Sequence, residues 1–282
     1  KGRCYPFRRH MSGQITTPDG LELRARLDEP PCPAAARVVL IHGIGDHVDG
    51  VPYRLAAEGL ARRGFLVHRM ELRGHGRSGG HRVYVSSFAE YRADLRLFVG
   101  QVRSSEPTLP VFLVGVSLGG LIVTSYALHQ PDGIAGVIAV APALGEVGGS
   151  QLKRALLPIL SRIAPRLPID PQLDLDRLTR DRALQKAYVE DDPLYQRRIT
   201  PRVAAELIST IAATRESAAS FRIPLLVLHG TADTVTSPQG SREFFEQAGS
   251  ADRTYKPYEG AYHTLFVETH REEVFHDIAA WI

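Results

Sequence analysis

The chain has 282 residues, of which 44% are hydrophobic and 23% charged, with a formal net charge of +3. That length allows one large core or a core plus a subdomain. No stretch reaches the ~18 apolar residues of a membrane span, and so small a charge excess argues against a nucleic-acid partner. The 11 histidines are scattered without His-Glu-x-x-His or Cys-x-x-Cys spacing, so no metal is expected. Two cysteines, Cys4 and Cys32, imply no disulfide framework, and the default location is the reducing cytoplasm.

The first 13 residues are basic, lack an apolar signal core and read as a tail or an expression remnant. Residues 14–27 alternate apolar and polar around Asp19-Gly20, the pattern of an opening β-hairpin. Five uninterrupted apolar runs follow, each closed by turn residues: 38–43, 65–72, 110–117, 136–142 and 224–230. Such runs suit strands buried on both faces. Between them lie helical patterns at 52–64, 87–105 and 118–130, and a last helix is expected over 269–282. Strand alternating with helix predicts an α/β fold, with a mostly parallel central sheet flanked by helices. The alternation fails over 143–222, which holds prolines, helical pieces and no credible strand. Residues 1–142 and 223–282 are therefore expected to form the core, with 143–222 a helical insertion between two strands.

Gly-x-Ser-x-Gly occurs twice. Ser117, in Gly115-Val116-Ser117-Leu118-Gly119, sits between a buried strand and a buried helix, the setting a nucleophile elbow requires. The plainer alternative is a serine kept for a tight turn. Ser78, in Gly76-Arg77-Ser78-Gly79-Gly80, lies six residues past its strand before polar His81-Arg82 and reads as loop. Flanking glycines let strand and helix pass closely around a strained residue, and the helix N-terminus points N–H groups at the site. A serine needs a base, and the base an orienting acid, in this architecture in the order Ser, acid, His. Asp233 follows the strand 224–230 and His263 a later loop, both at the edge where open α/β sheets place their sites. Asp233 alone reads as a helix cap and His263 alone as a packed loop residue; order, edge and elbow together favour chemistry. The N–H of Leu118 and that of Ile44, in His42-Gly43-Ile44-Gly45, are the candidate oxyanion donors.

Taken together, these residues resemble the monoacylglycerol lipase branch of the α/β-hydrolase fold, with lysophospholipase-like relatives. The stretches that carry the resemblance are 42–47, 72–78, 115–120, 230–233 and 258–263. The resemblance implies Ser117 as nucleophile, His263 as base, Asp233 as acid, Ile44 and Leu118 as oxyanion donors, and a helical cap over the site. It also implies hydrolysis of short-glycerol esters of fatty acids without a cofactor, the alternatives being a lysophospholipase or a general short-chain esterase. A non-enzymatic binding module would require a broken triad. Departures from the family pattern gather at the polar end of the pocket: Asp46 stands where Glu is common, Glu71-Leu72 where Asp usually ends the strand, and Thr264-Leu265-Phe266 where mammalian relatives carry another His. Tyr188 matches a family position near that end.

Residues 152–167 carry Leu156, Leu157, Ile159, Leu160, Ile163 and Leu167 among Lys153, Arg154, Arg162 and Arg166. Apolar residues at helical spacing with flanking cations suit an interfacial helix or a lid packed on the core. Leu156, Leu157, Leu160 and Ile163 are expected to line the acyl entrance or touch a lipid surface, which would make the protein peripheral at a membrane.

Overall fold

The apolar runs become strands because their side chains alternate between two cores. In the computed structural model, which describes residues 11–105, 107–145, 151–190 and 192–282, with the side chains of 11, 12 and 151–155 outside the description, the elements follow in chain order. They are β1 (Met11–Thr16), β2 (Glu22–Asp28), β3 (Ala36–Ile41), α1 (Val51–Ala61), β4 (Phe65–Met70), α2 (Ala89–Ser105), β5 (Val111–Val116), α3 (Leu118–His129) and β6 (Gly136–Val140). The insertion brings α4 (Gln151–Ile163), a short α5 (Arg182–Gln185) that continues as a π turn to Glu190, and α6 (Pro201–Glu216). The chain closes with β7 (Leu225–Gly230), α7 (Pro238–Gln247), β8 (Arg253–Tyr258) and α8 (Arg271–Trp281).

The eight strands form one sheet in the order β1-β2-β4-β3-β5-β6-β7-β8. β1 and β2 are antiparallel to each other, β2 is antiparallel to β4, and every other pairing is parallel. Val39, Ile41, Leu113, Val137, Ala139, Leu225 and Val227 face one core, completed by helices such as α2 and α3. Their neighbours Val38, Leu40, Val114, Ile138, Val140, Leu226 and Leu228 face the other, with α1 and α8. The inner strands β3, β5, β6 and β7 are thus buried at every position, as a doubly covered parallel sheet demands.

Three readings change. Residues 11–13 are not tail: they belong to β1, with Met11 opposite Leu27. β8 and α7 had no counterpart in the hydropathy pattern. β8 (RTYKPY) lies at the sheet edge and buries only its last residue, so it carries polar side chains and a proline that an inner strand would exclude. Cys32 is disulfide-bonded, which the cysteine count did not imply and which a reducing compartment does not favour; Cys4 lies outside the described residues. Among the described residues no helix is long and apolar enough to cross a membrane.

Strand order reverses at β3, whose neighbours are β4 on one side and β5 on the other. The carboxyl ends of β3 and β5 therefore diverge into a crevice, the position where open α/β sheets hold ligands.

Candidate active site

Both sides of that crevice carry candidate residues. Ser117 follows β5 directly and has φ 55° and ψ −115°, a left-handed conformation costly for any residue with a Cβ. The cost is held by hydrogen bonds: Ser117 N donates to Val140 O at 3.0 Å, and Ser117 O accepts from Ala143 N at 3.0 Å. The flanking glycines are required by contact. A Cβ on Gly115 would lie 2.2 Å from Gly119 O, and one on Gly119 would lie 2.3 Å from Ile41 O. Leu118 opens α3, where the first N–H groups have no acceptor within the helix.

Ile44 lies in the loop after β3 and faces Ser117 across two small cavities. A chain of hydrogen bonds fixes this loop. Gly43 N donates to the Tyr53 hydroxyl at 2.8 Å, and that hydroxyl donates to Asp46 Oδ2 at 2.5 Å. His42 accepts from Leu72 N through Nε2 at 2.9 Å and donates through Nδ1 to Gly43 O at 2.8 Å. Burial holds His42 well below the ordinary imidazole range, which keeps it neutral in this bracing role.

His263 lines the same cavity as Ser117. Its Nδ1 donates to Asp233 Oδ2 at 2.7 Å. The Asp233 side chain has no exposed surface. Burial pushes its carboxyl up, but His263 and His229, through charge and hydrogen bonds, outweigh this and hold it well below the usual carboxylate range. Asp233 Oδ1 accepts from Val235 N at 2.7 Å and Thr236 N at 3.1 Å. Ser117, His263, Asp233, Ile44 and Leu118, picked from separate stretches of sequence, are thus gathered at one edge of the sheet.

Ser78 has a different environment. Its Oγ accepts from Arg24 N at 2.9 Å and donates to Glu71 O at 3.3 Å, while Glu71 Oε1 accepts from the N–H groups of Arg77 and Ser78. The second Gly-x-Ser-x-Gly therefore organises a loop.

Tyr188 is presented from the π turn, a departure from regular helix that often marks a functional position, and lines the cavity shared by Ser117 and His263. It lies beside Asp46, whose carboxyl burial raises to about 6. The Tyr188 and Tyr195 rings meet edge-on at 5.4 Å. The insertion is fastened to the candidate residues at several points. Gln196 N donates to Gly45 O at 2.8 Å, His47 Nε2 meets Asp192 Oδ2 at 2.7 Å, and Thr264 N donates to Leu178 O at 2.7 Å. Gly45 has φ +79°, and a Cβ there would strike Gln196 O at 2.3 Å.

On the other side of Ser117 a cavity of about 90 Å³ is lined by Leu118, Ala143, Leu173, Leu207, Ile211 and Val235, among others. Leu156, Leu157, Leu160 and Ile163 are not in its wall or in that of the Tyr188 cavity. Leu156 and Ile163 are 51% and 76% exposed and Leu157 and Leu160 half-buried; Lys153 and Arg154 lie outside the described side chains. Sequence reasoning missed Leu207, Ile211 and Leu173, which carry no mark beyond helical spacing or loop hydrophobicity. It also passed over Tyr53, read only as the start of a helix, and His229, a lone imidazole ending an apolar strand. Among the described residues no three His, Cys, Asp or Glu side chains come together as a metal site.

A strained serine at a strand–helix elbow, facing a histidine paired to a buried aspartate, is the signature of the serine hydrolases of the α/β-hydrolase fold. The comparisons agree with that class. A family model described as "Serine aminopeptidase, S33" matches residues 33–270, and the chain belongs to this family. It is 34% identical over 246 residues to a monoacylglycerol lipase of Mycolicibacterium smegmatis, covering 87% of each chain. The crystal structure of the Paleococcus ferrophilus monoacylglycerol lipase matches with TM-score 0.81 and 32% identity over 97% of this chain and 98% of that one. A soluble variant of the Saccharomyces cerevisiae monoglyceride lipase, solved with a substrate analog, matches with TM-score 0.84 and 25% identity over 98% and 97%.

Proposed function

We propose that the protein hydrolyses monoacylglycerols to a fatty acid and glycerol through an acyl-enzyme on Ser117. The observation that carries this reading is the position of Ser117 between two unlike compartments. One is walled by Leu118, Leu207, Ile211 and Val235, and the other by Asp46, Tyr188, Tyr195 and His263. An ester with an acyl chain on one side and a hydroxylated leaving group on the other matches that division. Asp46 Oδ1 is buried without a partner, so a substrate hydroxyl would satisfy it.

Ser117 Oγ attacks the acyl carbonyl as its proton passes to the free nitrogen of His263. Asp233, bonded to Nδ1, holds the ring and stabilises the imidazolium. The N–H groups of Ile44 and Leu118 receive the oxyanion. The imidazolium then protonates the departing glycerol oxygen, and water, activated by the same histidine, releases the fatty acid. Residues 143–222 act as a cap over this site, and α4 is its lipid-facing element. Leu156, Ile159, Ile163 and Leu167, spaced three and four apart, are 48–76% exposed, a stripe suited to dipping into an acyl layer with Arg162 and Arg166 beside it.

A lysophospholipid is the second reading, favoured by one feature. A cavity of about 560 Å³ beside Ile44 and Leu173 is lined by Arg197 and Arg198, which could meet a phosphate. The deciding experiment measures kcat/KM on monoacylglycerols, diacylglycerols, lysophospholipids and p-nitrophenyl esters of graded chain length. A monoacylglycerol maximum supports the proposal; a lysophospholipid maximum replaces it.

A further inference from the structure

Asp233 serves two histidines, and the reaction above uses only one. His229, in β7, places Nε2 3.0 Å from Asp233 Oδ2, the same oxygen that His263 Nδ1 meets at 2.7 Å. On its other side, His229 Nδ1 lies 2.9 Å from Ser241 Oγ of α7. Both side chains of the His229–Asp233 pair are fully buried, and His229 is absent from the walls of the cavities that hold Ser117. It cannot reach substrate as a base.

We propose that His229 is a positioning residue for ester hydrolysis: backed by Ser241, it donates a second N–H to Asp233 and sets how much negative charge that carboxylate offers to His263. This inference rests on the triad reading above. Geometry determines the direction of the bonds. A lone pair on His229 Nε2 would face a carboxylate at 3.0 Å, so the proton sits on Nε2, and Nδ1 accepts from the Ser241 hydroxyl. That acceptance polarises the ring and strengthens its Nε2–H as a donor. Thr236 Oγ1 adds a further donor to Oδ2 at 2.9 Å.

The consequence is a tuned base. A carboxylate with several donors is a weaker acceptor toward each, so His229 limits how far Asp233 stabilises the His263 imidazolium. Loss of the His229 N–H concentrates charge on Oδ2, favours protonated His263 and moves the acidic limb of the rate profile to higher pH. The groups facing this pair are Asp233, Thr236 and Ser241 from the β7 side, and Asp46 and Tyr188 across the cavity. Asp46, held near 6, interacts with His263. It is unchanged in every variant below, so a difference between variants reports His229.

The test compares His229→Leu, His229→Gln and Ser241→Ala by kcat, KM and the pH profile of kcat/KM on a soluble p-nitrophenyl ester, with Asp233→Asn as the control for the triad. His229→Leu should leave KM nearly unchanged and move the acidic limb up by about half a pH unit or more. His229→Gln keeps an N–H donor and should restore the wild-type limb. Ser241→Ala should move the limb by a smaller amount in the same direction, and it decides the matter if His229→Leu does not fold. A wild-type limb in His229→Leu, equal displacement in Leu and Gln variants, or an unmoved limb in Ser241→Ala overturns the proposal. An active Asp233→Asn would instead overturn the triad reading, independently of His229.

Discussion

Removing one hydroxyl, by Tyr53→Phe, isolates the brace on the loop that carries Ile44, the proposed oxyanion donor. Tyr53 is 1% exposed, and its ring packs edge-on against His42 at 5.9 Å. Phe keeps that packing and leaves no cavity, so the loss is polar. Two buried groups lose a partner: Gly43 N, 2.8 Å from the hydroxyl, and Asp46 Oδ2, at 2.5 Å. A buried N–H left unsatisfied costs about 1–3 kcal/mol. The carboxylate has an escape by protonation. Its carboxyl already titrates at about 6, so taking up a proton at pH 7 costs at most about 1.4 kcal/mol. The sum is about 2–4 kcal/mol, or a melting temperature lower by about 5–10 °C for a chain of this size. Activity should fall as well, because Ile44 follows Gly43 and its N–H loses fixed aim. Deleting a whole oxyanion donor costs about 10²–10³ in kcat, so loosening one should cost about ten- to a hundredfold, with KM nearly unchanged. Thermal unfolding and steady-state hydrolysis of a soluble ester measure both. A variant that melts and turns over like the wild type would refute the brace.

Asp46 also makes stability depend on pH. Its folded value of about 6 lies above the ordinary 3.8, because burial disfavours the charged form. The ionised carboxyl therefore costs nothing below pH 3.8, and stability is lost as pH rises toward 6, by about 3 kcal/mol in all. Asp46→Asn is neutral throughout and should gain on the wild type by that amount between pH 4 and pH 7 in urea titrations; parallel curves would contradict the assignment. Ser117→Ala should lower kcat by about a million-fold, and a phosphonate should label Ser117 in the wild type. Ser78→Ala should lose stability with labelling intact, because Ser78 Oγ bonds to Arg24 N and Glu71 O; labelling at Ser78 would reverse the choice of elbow. Leu207→Ser and Ile211→Ser should flatten the rise of kcat/KM with acyl length, which is worth ~0.8 kcal/mol per buried CH₂, and spare a two-carbon ester. Leu156→Ser with Ile163→Ser should instead weaken binding to lipid vesicles. Equal losses on long and short esters in the first pair would make those residues merely structural.

The hydropathy pattern was sufficient for the fold class because a parallel sheet leaves a strong local mark. β3, β5, β6 and β7 are buried at every position, so their runs are uninterrupted and end sharply at turn residues. Ser117 was legible for the same reason: its elbow must sit between two such elements. β8 was not, since an edge strand needs neither continuous burial nor a free N–H at every position. Boundaries differ by one to three residues, and β1 reaches back into the expected tail because it gains its partners from β2 rather than from its own composition.

What sequence alone determined, then, was local: which runs are buried, roughly where they stop, and which candidate nucleophile, acid and base lie in the order this architecture uses. Tertiary structure decided everything that depends on meeting across the sheet. Strand order placed the ends of β3 and β5 side by side, so that Ile44 faces Ser117. The return of α6 over the site made Leu207 and Ile211 wall residues, while the leucines and isoleucines of α4, more conspicuous in sequence, turned outward or partly outward. Tyr53 and His229 gained their roles only through partners distant in the chain or on another element. Periodicity reports which face of an element is apolar, but the partner of a buried hydroxyl or imidazole is set by which loops the fold brings within about 3 Å.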